Sequence, residues 1–166
     1  MSAFVSIYGI VTMISDFWTG SDAASGCYKL MTVQNTDGNV VNFVITPTTY
    51  FVYHTIISVG DPVIGFYDAN VPVPLIYPPQ YHAIVMARFT QDQNIKVDFF
   101  DSQLVSSDGT LKLTIGPATQ IIQENGQPYT ANPANKNLIA VYGASTRSIP
   151  AQTVPYMIVV MCPLTS

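Results

Sequence analysis

A chain of 166 residues is long enough to bury a full core, either as one domain of ordinary size or as two small ones. Hydrophobic residues make up 48% of it and charged residues only 10%. That balance excludes intrinsic disorder, because ample apolar surface offsets the entropy of ordering. With four Lys, two Arg and a net charge of −4, the chain has no basic footprint for nucleic acid and little attraction for an anionic membrane.

No apolar run reaches the length of about eighteen residues that a spanning helix needs. The opening MSAFVSIYGIVTMISDFW lacks the cationic start and small-residue cleavage site of a secretory signal. Instead residues 4–14 alternate and are rich in β-branched and aromatic side chains, which predicts a strand. Thr19 to Gly26 is a loop by composition. A hairpin follows, with strands Cys27–Gln34 and Val40–Ile45 about the turn Asn35–Gly38, where Asp-Gly supplies the positive φ of a tight turn. Thr46-Pro47 could open a short helix, but the β-branched and aromatic run 48–58 favours extended chain equally. Gly60-Asp61-Pro62 turns into a strand Val63–Tyr67, a Pro-rich excursion fills 68–80, and residues 81–89 form another strand.

The second half repeats this order in shorter form: a strand Asn94–Phe100, an Asp108-Gly109 turn, a strand Leu111–Ile115, an irregular stretch, a strand Leu138–Tyr142, an excursion 143–155 and a last strand Tyr156–Cys162. Residues 63–86 superimpose on 138–161 without a gap at an offset of 75, with six identities: Ile64/Ile139, Tyr67/Tyr142, Ala69/Ala144, Tyr81/Tyr156, Val85/Val160 and Met86/Met161. No segment sustains a helical period, so the chain is expected to be all-β. Each half offers about five strands in the order of an OB-type Greek-key barrel. The expectation is therefore two tandem five-stranded OB-like Greek-key β-barrels related by an internal repeat, residues 1–90 and 91–166.

Asp37-Gly38, Thr46–Phe51, Val59–Tyr67 and Tyr81–Ala87 together carry a pattern of apolar strand, DG, apolar strand, TPxT-aromatic and VGDxVxGFY. In this the first half resembles OB-like repeats of uncharacterised proteins from spore-forming, mostly anaerobic bacteria. The second half departs from it, with Lys136-Asn137 where Asp61-Pro62 stands. The resemblance implies a fold and no activity.

Catalytic chemistry finds few candidates. His54 and His82 are the only histidines, and there is no GxSxG, HExxH or phosphate loop. Asp98 and Asp101 lie three apart, on opposite faces of a strand, and so do not form a catalytic pair unaided. Asp16, Asp22 and the 98–101 group lack the spacing of a calcium loop. Neither a metal nor a cofactor is expected, and the chain is expected not to be an enzyme. Cys27 and Cys162 are expected to be small buried hydrophobes, with a disulfide, within the chain or between subunits, as the alternative.

The excursions are the candidate interface. Val71, Pro72, Val73, Pro74, Leu75, Ile76, Tyr77 and Pro78 make up the first, and Arg147, Ile149, Pro150 and Val154 mark the second. Proline stiffens such loops, so docking orders little further chain. Together with the unpaired edges expected at strands 4–14 and 156–162, they point to a structural protein whose partner is itself. A homo-oligomer or filament would result, and the resemblance, taken with the low charge, implies an extracellular, cell or spore surface for it. The alternative is a glycan- or protein-binding module using Trp18, Tyr67, Tyr77 and Tyr142.

Overall fold

The computed structural model describes residues 3–163, and the chain is all-β with mixed sheets. It divides into two compact units, Met1–Phe89 and Thr90–Ser166.

The first unit holds β1 (Phe4–Asp16), β2 (Lys29–Gln34), β3 (Val40–Ile45), β4 (Tyr50–Phe51), β5 (Pro62–Asp68), β6 (Gln80–His82) and β7 (Val85–Arg88). They form one sheet in the order β4-β7-β5-β1-β2-β3-β6. The first half of β1 pairs antiparallel with β5 and the second half with β2, and the β1–β2 ladder carries a register shift between Val11 and Met13. β2 and β3 form the expected hairpin. Asn35 Oδ1 accepts the N–H groups of Asp37 and Asn39, and Gly38 takes a φ of 84° that a residue with a Cβ adopts only with strain.

The expected single strand 81–89 is two. β6 runs parallel to β3, β7 runs antiparallel to β5, and the break falls at Ala83 and Ile84. There the Ala83 N–H donates to Val44 O and the Ile84 N–H to Phe66 O, so one stretch of chain changes partner within two residues. Because β6 and β7 stand near opposite ends of the sheet order, this stretch draws the sheet round on itself. Inside the curl lie Val11, Met31, Phe43, Val63 and Met86, each nearly or wholly buried. Phe43 lies so close to β5 that a Cβ on Gly65 would sit 2.7 Å from its ring.

Residues 48–58 become neither the helix nor the long strand considered for them. β4 takes two residues and a single 3₁₀ turn takes Val52–His54, with Tyr53 and His54 both at positive φ. Thr49 fixes the entry to this segment: its hydroxyl accepts the Thr46 N–H and donates to Ala83 O.

The second unit holds β8 (Asn94–Phe100), β9 (Leu111–Leu113), β10 (Gln120–Gln123), β11 (Lys136–Tyr142), β12 (Ala151–Thr153) and β13 (Met157–Val160). β10, β13, β11 and β8 form one sheet in that order, and β12 runs parallel to β9. Isolated bridges at Phe100/Ser106 and Val105/Lys112 stand where the first unit has its long hairpin. Its core is Phe100, Leu111, Leu113, Leu138, Ile158 and Val160 with their neighbours. β10 was not expected, because Gln-Ile-Ile-Gln is short and its strand character comes from lying parallel to β13.

Thr119 does here what Thr49 does in the first unit, accepting the Gly116 N–H and donating to Pro155 O. These bonds correct the gapless superposition. Ala83 answers to Pro155, an offset of 72 rather than 75, so Tyr156 stands in the place of Ile84 and not of Tyr81. The strands beyond the second excursion arrive three residues early. Two further expectations change: β1 is paired along its length, its first half by β5 and its second half by β2, and β13 lies between β10 and β11, so neither strand is wholly unpaired.

Candidate functional site

The first excursion leaves β5 and returns in β6. Its feet are pinned by Tyr67 and Tyr81, whose rings stack 3.9 Å apart at 10°. Burial, then the neighbouring Tyr81 hydroxyl, holds the Tyr67 hydroxyl above the ordinary tyrosine range. Asp68 Oδ1 accepts the N–H groups of Ala3 and Asn70, and Pro79 O accepts the Asn42 N–H. Both excursions include a cis peptide, Tyr77-Pro78 and Ile149-Pro150.

Between these feet the loop does two things. Val71, Pro72, Val73 and Pro74 lean over the unit's own sheet and wall a cleft of about 480 Å³ against Phe17, Val44, Tyr67 and Ile84, with Asp68, Gln80 and His82 as its polar groups. Leu75, Ile76 and Tyr77 do the opposite: Leu75 is fully exposed and Tyr77 is 83% exposed. Pro78 closes the arch, half-buried.

The second excursion is braced by hydroxyls. Thr146 Oγ1 accepts the Gln152 N–H at 2.9 Å and shares a hydrogen with Ser148 Oγ at 2.7 Å. Ser148 donates to Pro150 O, and Thr153 donates to Ala144 O. Arg147 and Ile149 are left outside this frame, Ile149 at 91% exposure. A more open cleft of about 640 Å³ lies beside the loop, lined by Thr114, Ser145, Thr146, Gln152, Val154 and Tyr156 among others. Gln152 and Tyr156 are among its lining residues, as Gln80 and Ile84 are among those of the first. The Tyr156 hydroxyl lies over Gly143, where a Cβ would come within 2.1 Å of it. A Cβ there would have to push that ring aside. Burial, then the Asp108 carboxylate, raises the Tyr142 hydroxyl above its usual range.

The other sequence candidates are dispersed. His54 is exposed, with Tyr50 edge-on to it, and His82 is exposed with Nε2 3.4 Å from Thr46 Oγ1. Among the described residues no recorded hydrogen bond or ion pair joins either histidine to a carboxylate. Asp98 is buried and accepts the Phe99 N–H and the Ser107 hydroxyl, while Asp101 accepts the Gln103 and Val105 N–H groups. Both shape a turn. Asp16 pairs with Lys29, and Asp22 stands in the first turn of a 3₁₀ segment. Among the described residues no three His, Cys, Asp or Glu side chains gather where they could hold a metal ion. Cys27 and Cys162 are exposed free thiols, so the buried reading of them does not hold. Trp18 is exposed, and of the four aromatics considered for a binding face only Tyr67 lines the first cleft.

Sequence reasoning missed Phe17, Val44, Gln80 and Ile84, which meet at the cleft from three separate segments. One signal was available: a glutamine stands within two residues after a proline in each excursion region, as Pro79-Gln80 and as Pro150-Ala151-Gln152. No protein-family model matches the chain, and comparisons with characterised proteins and with solved structures find no match.

Proposed function

We propose that this chain is a non-enzymatic structural protein whose copies associate with one another, as a homo-oligomer or a filament at a cell or spore surface. The observation that carries this is the exposure of an apolar tip on each excursion, Leu75–Tyr77 on the first and Ile149 on the second. A contiguous apolar tip on a loop braced by prolines and hydroxyls is a poor choice for a surface that meets only water. A chain with 10% charged residues also has little to keep copies apart. Each unit is read as a five-stranded OB-like barrel, the second a shortened repeat of the first. The change of partner at Ala83 and the matched bonds of Thr49 and Thr119 support that reading. The exposed thiols of Cys27 and Cys162 fit a disulfide between subunits.

Sedimentation velocity over a wide concentration range, with negative-stain images of the same samples, tests the proposal. A mean mass that climbs with concentration and falls when Leu75 and Ile149 become Asp is expected. A strict monomer at high concentration overturns it.

A binding module is the second reading, favoured by the hydroxyl-lined second cleft beside Tyr156. An uncharged cleft of amide, hydroxyl and aromatic groups suits a neutral glycan. A thermal-shift screen against a sugar panel raises the melting temperature if this reading is right and leaves it unmoved if it is wrong.

A further inference from the structure

We propose that copies join through an asymmetric contact, in which the Arg147–Pro150 tip of one copy enters the apolar cleft of the first unit of another and Arg147 meets Asp68. This rests on the self-association reading and names its partner surfaces.

The cleft fits the part. Its volume of about 480 Å³ falls within the ordinary range for pockets that hold a compact ligand, and its walls at Val44, Val71, Val73 and Ile84 are uncharged. Asp68 is the one carboxylate among its lining residues. The tip fits it in turn. Ile149 is 91% exposed and stands between Arg147 and Pro150. The bonds among Thr146, Ser148, Gln152 and Pro150 already hold the loop in shape, so little further ordering is lost on docking.

Charge selects this pairing over the others available. Lys29, Arg88 and Lys96 are each paired with a carboxylate of their own unit. Arg147, in no ion pair among the described residues, stands two positions from an exposed isoleucine. The first tip, Leu75–Tyr77, carries no cation and grows out of the wall of the first cleft itself. The second cleft has no carboxylate in its lining, so it offers nothing to answer Arg147. Tip and cleft are unlike surfaces, so a joined pair still presents one free tip and one free cleft. Growth then continues until a ring closes or a fibre forms.

The test uses full-length chains that are each disabled on one side. Ile149→Asp removes the tip and leaves the cleft; Val73→Trp fills the cleft from an exposed wall position and leaves the tip. Each alone should weaken association by about tenfold or more in sedimentation. Mixed together, they should give an equimolar heterodimer and nothing longer, because only one productive contact remains. Arg147→Asp should also weaken association, and adding Asp68→Arg in the same chain should restore it. Wild-type assembly that ignores these substitutions, or a mixture that forms no heterodimer, overturns the inference while leaving self-association standing. A wild-type chain that stays monomeric removes the reading beneath it, which is a separate and distinguishable result.

Discussion

Phe43 and Gly65 depend on each other. Phe43 is wholly buried, and its ring occupies the space that any side chain at position 65 would need. Gly65→Ala should therefore destabilise the first unit by about 1–3 kcal/mol, the usual cost of overpacking a core. Denaturant unfolding would read the loss, and Phe43→Leu in the same chain should recover part of it. If Gly65→Ala unfolds at the wild-type midpoint, the ring has room to move and the contact does not limit packing. Asp108 holds the Ser106–Thr110 turn of the second unit by charge and hydrogen bonds. Burial works against its ionisation, but Lys96 and the hydroxyls of Ser106 and Thr110 outweigh that and hold its carboxyl well below the usual range. A folded-state pKa below the unfolded one means stability that is present above the unfolded value, near 4, and is lost as pH falls through the folded value. After solvent screening the contribution is about 1 kcal/mol or less. Asp108→Asn should flatten the acid limb of the second unit's unfolding curve below about pH 4. An unchanged acid limb would place that dependence elsewhere.

At the scale of the element, one threonine in each unit ties three segments together. Thr49 links the residue after β3 to the break between β6 and β7, and Thr119 links Gly116 to the junction of β12 and β13. Replacing either by Val removes an acceptor and a donor at once and leaves a backbone N–H unanswered. We expect a loss of about 1–3 kcal/mol for each, with Ser in its place recovering most of it. A Val variant that melts with the wild type would show that water replaces both bonds. Strands with clear alternation or a turn signal, such as β1, β3, β5 and β8, were legible in the sequence, because their patterning is local. The break at Ala83 was not, since it is set by a change of partner that adjacent side chains do not encode. β10 was missed for the same reason: its two glutamines and two isoleucines become a strand only beside β13. Half of the six identities used to align the halves lie past the excursion, where the offset has changed to 72, so they matched residues of different position. The excursions could be read as candidate surfaces from proline and valine content alone. The cleft beside the first could not, because its walls come from residues as far apart as Phe17 and Ile84.

For the whole molecule, the balance of forces behind the proposed association would decide how it responds to temperature. With six cations and ten carboxylates in 166 residues, and with three of the cations already paired within their units, charge can steer copies together but supplies little of the holding energy. At the two excursion tips the exposed groups available to be covered are aliphatic and aromatic: Leu75, Ile76, Tyr77 and Ile149. Burial of such surface has almost no enthalpy near 25 °C and a negative heat-capacity change, so its driving force weakens on cooling. Assembly held by these tips should therefore recede reversibly when a sample is chilled to about 5 °C and return on warming to about 30 °C. Right-angle light scattering through repeated cycles would follow it. Leu75→Asp and Ile149→Asp combined in one chain should abolish the temperature response along with the assembly. Assembly that instead strengthens in the cold would mean that hydrogen bonds or ion pairs hold the copies together, and the apolar tips would lose their place as the contact.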